Sequence, residues 1–262
     1  MPMMLPRIGA LLSTSLLVLS APIAGGSQQS ETTTVTYTAS VGDSAQCLDE
    51  VNAVREVAGL SNFTQASDPN KLQTPGTEGL QENTEWRKLC EHLIATQKAK
   101  APSSSEAENP FKDGTYAFKS LTDAQPKCKD TVDFWKAAFK NFTGLPPSKK
   151  QANGLYDKQD NVSFVALYNP SSSATADCRV VTCTKKTSTK ENELAAAEGN
   201  ATSEYGYALI CKTMPDALAD ENSAPFTQKQ WDGIVSSLTG SASVAVPKLV
   251  GIFILAVGMV AL

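Results

Sequence analysis

Six cysteines constrain the fold of this 262-residue chain more than any other feature of its sequence: Cys47, Cys90, Cys128, Cys178, Cys183 and Cys211. An even number in an oxidising compartment predicts three disulfides. If residues 177–184 form a strand, Cys178 and Cys183 lie roughly 16 Å apart on opposite faces, whereas a disulfide needs Cα atoms within about 7 Å. We therefore expect these two cysteines to bond to different partners on the two faces of a sheet. A zinc site is the weaker interpretation, because the chain has no Cys-x-x-Cys and one histidine.

Both ends of the sequence carry patterns typical of a secreted, processed chain. Arg7, the apolar residues 8–21 and the small residues that follow predict a cleaved signal peptide over residues 1–26. Residues 249–262 form an uncharged apolar run, shorter than the roughly 20 residues of a spanning helix. Small residues and a short spacer precede this run, which predicts a glycosylphosphatidylinositol (GPI) signal over 241–262, with attachment at Gly240 or Ser241. The alternatives are a single-pass or tail-anchored protein, or a C-terminal element of the core.

Between these ends we predict a single disulfide-bonded ectodomain over residues 27–240, with no membrane span of its own. Its Asn-x-Ser/Thr sequons predict N-glycosylation at Asn62, Asn141, Asn161 and Asn200. Asn161 opens an expected strand, where burial would prevent modification. The net charge of −4 and the dispersed lysines do not indicate nucleic-acid binding.

Helical periodicity appears in four segments of the chain. Apolar residues recur every three or four positions in residues 43–60, 86–93, 132–142 and 227–238. Thr227 and Gln230 have the spacing of a capping box at the start of the last helix.

Strand signals cluster in the second half of the chain. Residues 162–168 and 178–184 are nearly continuously apolar, and residues 204–212 alternate, with Tyr205, Tyr207, Leu209 and Cys211 on one side. Strands joined without helices predict a mainly antiparallel sheet, and flanking helices predict cover on both sides. The expected fold class is α+β, a disulfide-stabilised three-layer α/β/α sandwich.

Two segments have the composition of solvated loops. Residues 101–110 are polar and bounded by prolines, which predicts a connection between the helical and sheet-rich halves. Residues 185–203 are long and charged, which predicts an extended arm between two strands. Such an arm is either a contact surface or a disordered loop.

The residues that catalysis requires are scarce. His92 is the one histidine, and its place beside the apolar stripe of its helix predicts a partly exposed surface side chain. A Ser-His-Asp or Cys-His arrangement needs a positioned histidine, and a cysteine nucleophile needs a free thiolate. The common phosphate-binding and hydrolase motifs do not occur. We therefore expect no enzyme, no cofactor and no metal.

Several of these segments together resemble a known family. The sequences Val-Ser-Phe-Val-Ala-Leu-Tyr (162–168), Asp-Cys-Arg-Val-Val-Thr-Cys (177–183) and Tyr-Ala-Leu-Ile-Cys-Lys-Thr-Met-Pro (207–215), between a signal peptide and an anchor signal, resemble the surface antigen (SAG) family of the coccidian parasite Eimeria. The resemblance covers nearly the whole chain. It implies a GPI-anchored antigen on the outer face of the plasma membrane that takes part in attachment to host cells and meets host antibodies.

A more distant likeness is to the CAP superfamily of cysteine-rich secretory and pathogenesis-related proteins, which are α/β/α sandwiches. Residues 177–183 resemble its Gly-Cys strand, and Cys211 with Pro215 resembles its Cys-Asn-Tyr-x-Pro strand. The likeness implies a Cys178–Cys211 disulfide and a bond from Cys183 to a helical cysteine such as Cys90. The chain departs from CAP domains at their metal-binding cleft, because two histidines are needed there and His92 is alone.

The sequence thus supports three hypotheses. The first is a non-enzymatic surface antigen that contacts host cells and antibodies and meets the membrane through its GPI lipid only. The second is a CAP-like module that binds a sterol or another lipid. The third is a secreted hydrolase, which would need His92 beside an acidic residue and an accessible hydroxyl.

Overall fold

The computed structural model describes residues 32–76, 78–99, 113–190 and 201–240. The helices are α1 (Leu48–Val57), α2 (Glu85–Ala99), α3 (Cys128–Lys136), α4 (Gln159–Leu167) and α5 (Gln228–Thr239). The strands are β1 (Thr32–Val41), β2 (Thr64–Gln65), β3 (Thr115–Leu121), β4 (Thr175–Lys190) and β5 (Ala201–Met214). Short 3-10 helices cover Ala137–Asn141, Lys149–Gln151 and Leu155–Asp157.

One sheet organises the molecule, with strand order β1-β4-β5-β3. All neighbours along this order are antiparallel, and the two-residue β2 adds a short parallel pair beside β4. The predicted α+β class with an antiparallel sheet is therefore confirmed.

Each face of the sheet carries its own hydrophobic core. The first core contains Trp135, Phe164 and Trp231 from α3, α4 and α5, together with Leu209 of β5. The second core contains residues of α2 packed against Val181, Cys183, Ala208 and Ile210 of the sheet. Alternate residues of β4 and β5 point to opposite sides of the sheet and so contribute to both cores. Helices cover both faces.

The segment 162–168 is a helix, and the predicted strand there is wrong. It lies within α4, whose residues from Phe164 to Leu167 are at most 1% exposed. A short, continuously apolar run fits a buried helix as well as a buried strand, so periodicity does not separate the two. The Ser163 hydroxyl donates to the Gln159 carbonyl one turn earlier, as a helical backbone allows.

The four predicted helices are present with shifted bounds. The first begins at Leu48, later than residue 43, and the third divides into α3 and the 3-10 turn Ala137–Asn141. The capping box of α5 forms as predicted: the Thr227 hydroxyl accepts from the Gln230 amide, and Gln230 accepts from the Thr227 amide.

The segment 185–203 is correctly placed between two strands, but its ends are strand and not loop. Lys185–Lys190 belongs to β4 and pairs with β1, while residues 201–203 open β5. Residues 191–200 lie outside the described residues, as do the predicted signal peptide, the linker at 101–110 and the apolar tail at 249–262. Across the described ranges, none of the helices has the length and apolar character needed to cross a membrane.

Candidate functional site

Three disulfides link the elements of the fold: one joins two strands, one joins a helix to the sheet, and one joins the starts of two helices. Cys178 and Cys211 occupy opposed positions on β4 and β5, and their bond lies in the first core. Cys183 bonds to Cys90 of α2 in the second core. The expected bonding of Cys178 and Cys183 on opposite faces is confirmed, and both pairings agree with those that the CAP likeness implies. The third bond joins Cys47, which precedes α1, to the first residue of α3.

Buried charged side chains lie next to Cys178 and Cys211 on the same two strands. Asp177 is fully buried, and its carboxylate accepts from Arg179 at 2.8 Å, from the Leu72 amide at 2.9 Å and from Gln65 at 3.0 Å. These bonds compensate for the loss of water around the charge. Lys212 on the adjacent strand is 2% exposed, and its amine contacts the Asp113 carboxylate at 2.7 Å.

Arg55 is a buried cation that contacts backbone carbonyls. It is 0% exposed, donates to the carbonyls of Ser61, Leu167 and Asn169 at 2.9–3.0 Å, and lies 3.6 Å from the centre of the Phe63 ring. Burial lowers the pKa of Arg55 to about 10, so the side chain remains charged at neutral pH. The Leu167 and Asn169 carbonyls lie at the C-terminal end of α4, where a cation is favourable.

We define the open face as the uncovered outer part of the sheet on the side of the first core, formed by residues of β1, β4 and β5: Thr34, Thr36, Thr38, Ser40, Thr182, Thr184, Tyr205 and Tyr207. Tyr205 and Tyr207 continue the row of Leu209 and Cys211 beyond the cover of the helices, as the alternation in the sequence predicts. Tyr205 is 48% exposed. The open face is therefore an exposed continuation of the core row of β5.

The two tyrosines form an ordered aromatic pair. Their rings are inclined by 10° and their centroids lie 6.4 Å apart. Across the sheet, Tyr205 is opposed by Thr184 and Tyr207 by Thr182. Apolar rings beside threonine hydroxyls give the open face both contact area and hydrogen-bonding groups.

The opposite side of the same strand is closed by α2. A Cβ atom on Gly206 would lie 2.6 Å from the backbone carbon of Leu93, so the absence of a side chain permits this packing. Next to it, Glu204 contacts the amines of Lys98 at 2.6 Å and Lys185 at 3.1 Å. Hydrogen bonds from these two lysines lower the pKa of Glu204.

A cavity of about 370 Å³ lies at the other end of the molecule, between Asn169–Ser171 and the loop 215–225. Asp216 in its wall accepts from the Thr115 hydroxyl at 2.6 Å and from the Leu218 amide at 2.9 Å. Asp220 accepts from the Ser223 hydroxyl at 2.6 Å. These carboxylates order the loop that forms the wall.

The remaining predicted site residues are dispersed. His92 is half-buried on α2, and the described residues contain no group of three or more His, Cys, Asp or Glu side chains placed to hold a metal. Asn62 and Asn141 are exposed, whereas Asn161 is 0% exposed and donates to the Leu155 carbonyl at 2.7 Å. Gly240 follows α5 directly, while Asn200 and Ser241 lie outside the described residues.

Comparisons with known proteins agree on one group. A family model described as the sporozoite surface antigen (SAG) protein domain matches residues 43–253. The chain is also 29% identical over 206 residues to the sporulated oocyst TA4 antigen of Eimeria tenella, covering 74% of each chain. No solved structure matches the fold. The sequence signals of the open face are the β-branched residues and tyrosines of 182–188 and 201–207, which overlap the arm that the sequence predicts over residues 185–203.

Proposed function

The chain belongs to the sporozoite surface antigen (SAG) family, and we propose that it is a parasite surface protein that attaches to host cells through the open face without catalysis. The observation that carries the proposal is the Tyr205–Tyr207 pair, with Tyr205 exposed and Tyr207 half-buried, on a sheet held by disulfides. Two rotatable side-chain torsions make tyrosine an efficient contact residue, because little conformational entropy is lost on binding.

The rigid part of the sheet supports this role. Cys178–Cys211 and Cys90–Cys183 join the strands that continue into the open face, and α2 packs on its reverse side. A surface that is ordered before binding loses less entropy when a partner docks. Host antibodies would meet the same exposed residues.

Anchoring through a GPI lipid at Gly240 or Ser241 is part of the proposal. The helix α5 ends at Thr239, and the predicted attachment positions follow directly. A lipid there would hold the domain at the outer face of the membrane. We also propose N-glycosylation at the exposed Asn62 and Asn141, and not at the buried Asn161.

A binding assay tests the adhesion proposal. The full chain is displayed on non-adherent cells, and their capture by host epithelial monolayers is counted. We expect Tyr205→Ser/Tyr207→Ser to reduce capture about tenfold or more, as loss of an interface centre does. Val57→Ser is the matched control, because Val57 is also a large exposed hydrophobic residue, at 69%, and lies on α1.

Unchanged capture by the double tyrosine variant, with equal surface display, would show that the open face is not the attachment surface. Equal losses for the tyrosine and Val57 variants would show a nonspecific effect of surface hydrophobicity.

A CAP-like lipid-binding module is the second proposal, and the cavity beside loop 215–225 is its candidate site. Helices on both faces of the sheet are compatible with a CAP-like sandwich. The wall of the cavity is mostly apolar but lies open to solvent, which places this proposal behind adhesion. Mass spectrometry of lipids extracted from the purified protein tests it, since a stoichiometric sterol or fatty acid would support the module.

A further inference from the structure

The two edges of the sheet differ in how many of their outward backbone groups are hydrogen-bonded by the rest of the chain. On β3, the Phe118 amide donates to the Ser163 hydroxyl at 3.0 Å, and the Phe118 carbonyl accepts from the Trp135 indole at 2.8 Å. The Tyr116 carbonyl accepts from the Gln159 side chain at 2.8 Å. Side chains of α3 and α4 thus occupy the outward backbone groups of this edge.

Within the described ranges, the opposite edge, β1, has one such bond, at Tyr37 near the middle of the strand. The Tyr37 carbonyl accepts from the Leu80 amide at 2.8 Å, which shows that odd-numbered residues of β1 direct their backbone groups away from the sheet. The Gly42 amide donates to Val180 of β4 at 2.8 Å, as expected for even-numbered residues. By this alternation, Thr33 and Val35 present their N–H and C=O groups outward. No group within the described ranges bonds to them.

The free part of β1 is also suited to pairing by its side chains. Residues 32–36 read Thr-Thr-Thr-Val-Thr and are all exposed, with Val35 at 42%. The packing of α2 on this strand involves Tyr37 and residues nearer its inner end. Proteins usually protect a free edge with charges, proline or a bulge, and this segment contains neither charge nor proline.

We propose that a second copy of this chain pairs with β1 in antiparallel orientation, which joins two sheets into one across a twofold axis. In the register that uses the outward groups of Thr33 and Val35, Thr33 pairs with Val35 of the second copy and Val35 with its Thr33. Four backbone hydrogen bonds result. Thr34 then faces Thr34 of the second copy at the axis, and the Leu80 contact at Tyr37 ends the pairing.

A second copy fits this edge for two reasons. The neutral segment opposes no like charges when it pairs with itself, and Thr–Val and Thr–Thr neighbours are favourable across strands. A twofold contact also satisfies the same free edge on both molecules at once. The pairing is separate from the adhesion proposal, because it uses the edge of the sheet and not the tyrosine pair.

The test uses complementary charges at the axis. Two differently tagged full chains are coexpressed, extracted in mild detergent, and the co-precipitated fraction is measured. We expect Thr34→Lys in both copies to lower that fraction about fivefold, because like charges oppose at the axis. Combining T34K with T34E should restore it. Val57→Lys is the control for an added positive charge, since Val57 is exposed on α1 and lies outside β1.

Val35→Pro provides a second variant. It removes one outward N–H and leaves the β1–β4 hydrogen bonds intact, so it should also reduce co-precipitation. Circular dichroism of each variant checks that the fold is retained. Absence of co-precipitation by the unmodified chains would overturn the proposal, and so would failure of the T34K/T34E combination to restore it.

Discussion

The same two strands, β4 and β5, serve different purposes at their two ends. In the enclosed end, near Cys178 and Cys211, both faces lie under helices and the buried Asp177 and Lys212 have charged partners. In the outer end, α2 closes one face, and the other carries the exposed Tyr205 and the half-buried Tyr207. The alternation of side chains continues unchanged, so the difference lies in what covers the strands. Stability should therefore depend mainly on the enclosed end, with a smaller contribution from the α2 contacts behind the outer end, and attachment should depend on the open face.

The largest effect should come from the cross-strand disulfide of the enclosed end. Replacing both cysteines, Cys178→Ala/Cys211→Ala, should lower the free energy of unfolding by about 2–5 kcal/mol, because the unfolded chain loses the cross-link between these two positions. Guanidinium unfolding of the purified protein measures the change. An unchanged midpoint would mean that this bond does not hold the two strands together.

The second-largest loss of stability should come from replacing the buried cation Arg55. Arg55→Met removes three hydrogen bonds and leaves the Ser61, Leu167 and Asn169 carbonyls without their donor. We expect a loss of roughly 3 kcal/mol, since buried polar groups are costly to leave unpaired. Val57→Ala is the control for a substitution on the same helix and should change stability little, because Val57 is exposed. Equal melting temperatures of R55M and the parent would contradict this account of Arg55.

The boundary between the two ends can be tested at Gly206. Gly206→Ala places a methyl group 2.6 Å from the Leu93 backbone, so α2 must shift, at a cost of about 1–3 kcal/mol. Gly144→Ala is the matched control, because its new Cβ meets no atom within 4 Å. If the two variants unfold at the same denaturant concentration, α2 does not pack on the sheet as closely as described.

A smaller, pH-dependent effect should come from Glu204. Its pKa is lowered in the folded protein by hydrogen bonds from Lys98 and then Lys185. A lowered folded pKa gives stability that is present above the unfolded value, 4.5, and is lost as the pH falls through the folded value. Melting temperatures between pH about 6 and about 3 should therefore fall less in Glu204→Gln than in the parent. A parallel pH profile for both proteins would exclude this contribution.

The sequence predicted the enclosed end better than the outer end. The separation of Cys178 from Cys183 followed from strand geometry, and the capping box of α5 followed from residue spacing. The strand predicted at residues 162–168 was wrong, because a helix buried on all sides shows no periodicity. The open face was partly missed, since polar, threonine-rich strands resemble loops until their pairing with β1 is known. That pairing joins residues far apart in the chain, which local patterns do not record.

One paired measurement tests the central claim, that the enclosed end stabilises the domain and the outer end attaches to cells. Unfolding free energy and host-cell binding are determined together for Tyr205→Ser and for the Cys178→Ala/Cys211→Ala variant. The account predicts that Y205S keeps its unfolding free energy within about 0.5 kcal/mol, as surface changes do, and loses binding. The cysteine variant should lose stability, and while it stays folded it should still bind. Full binding by Y205S at unchanged stability would contradict the account.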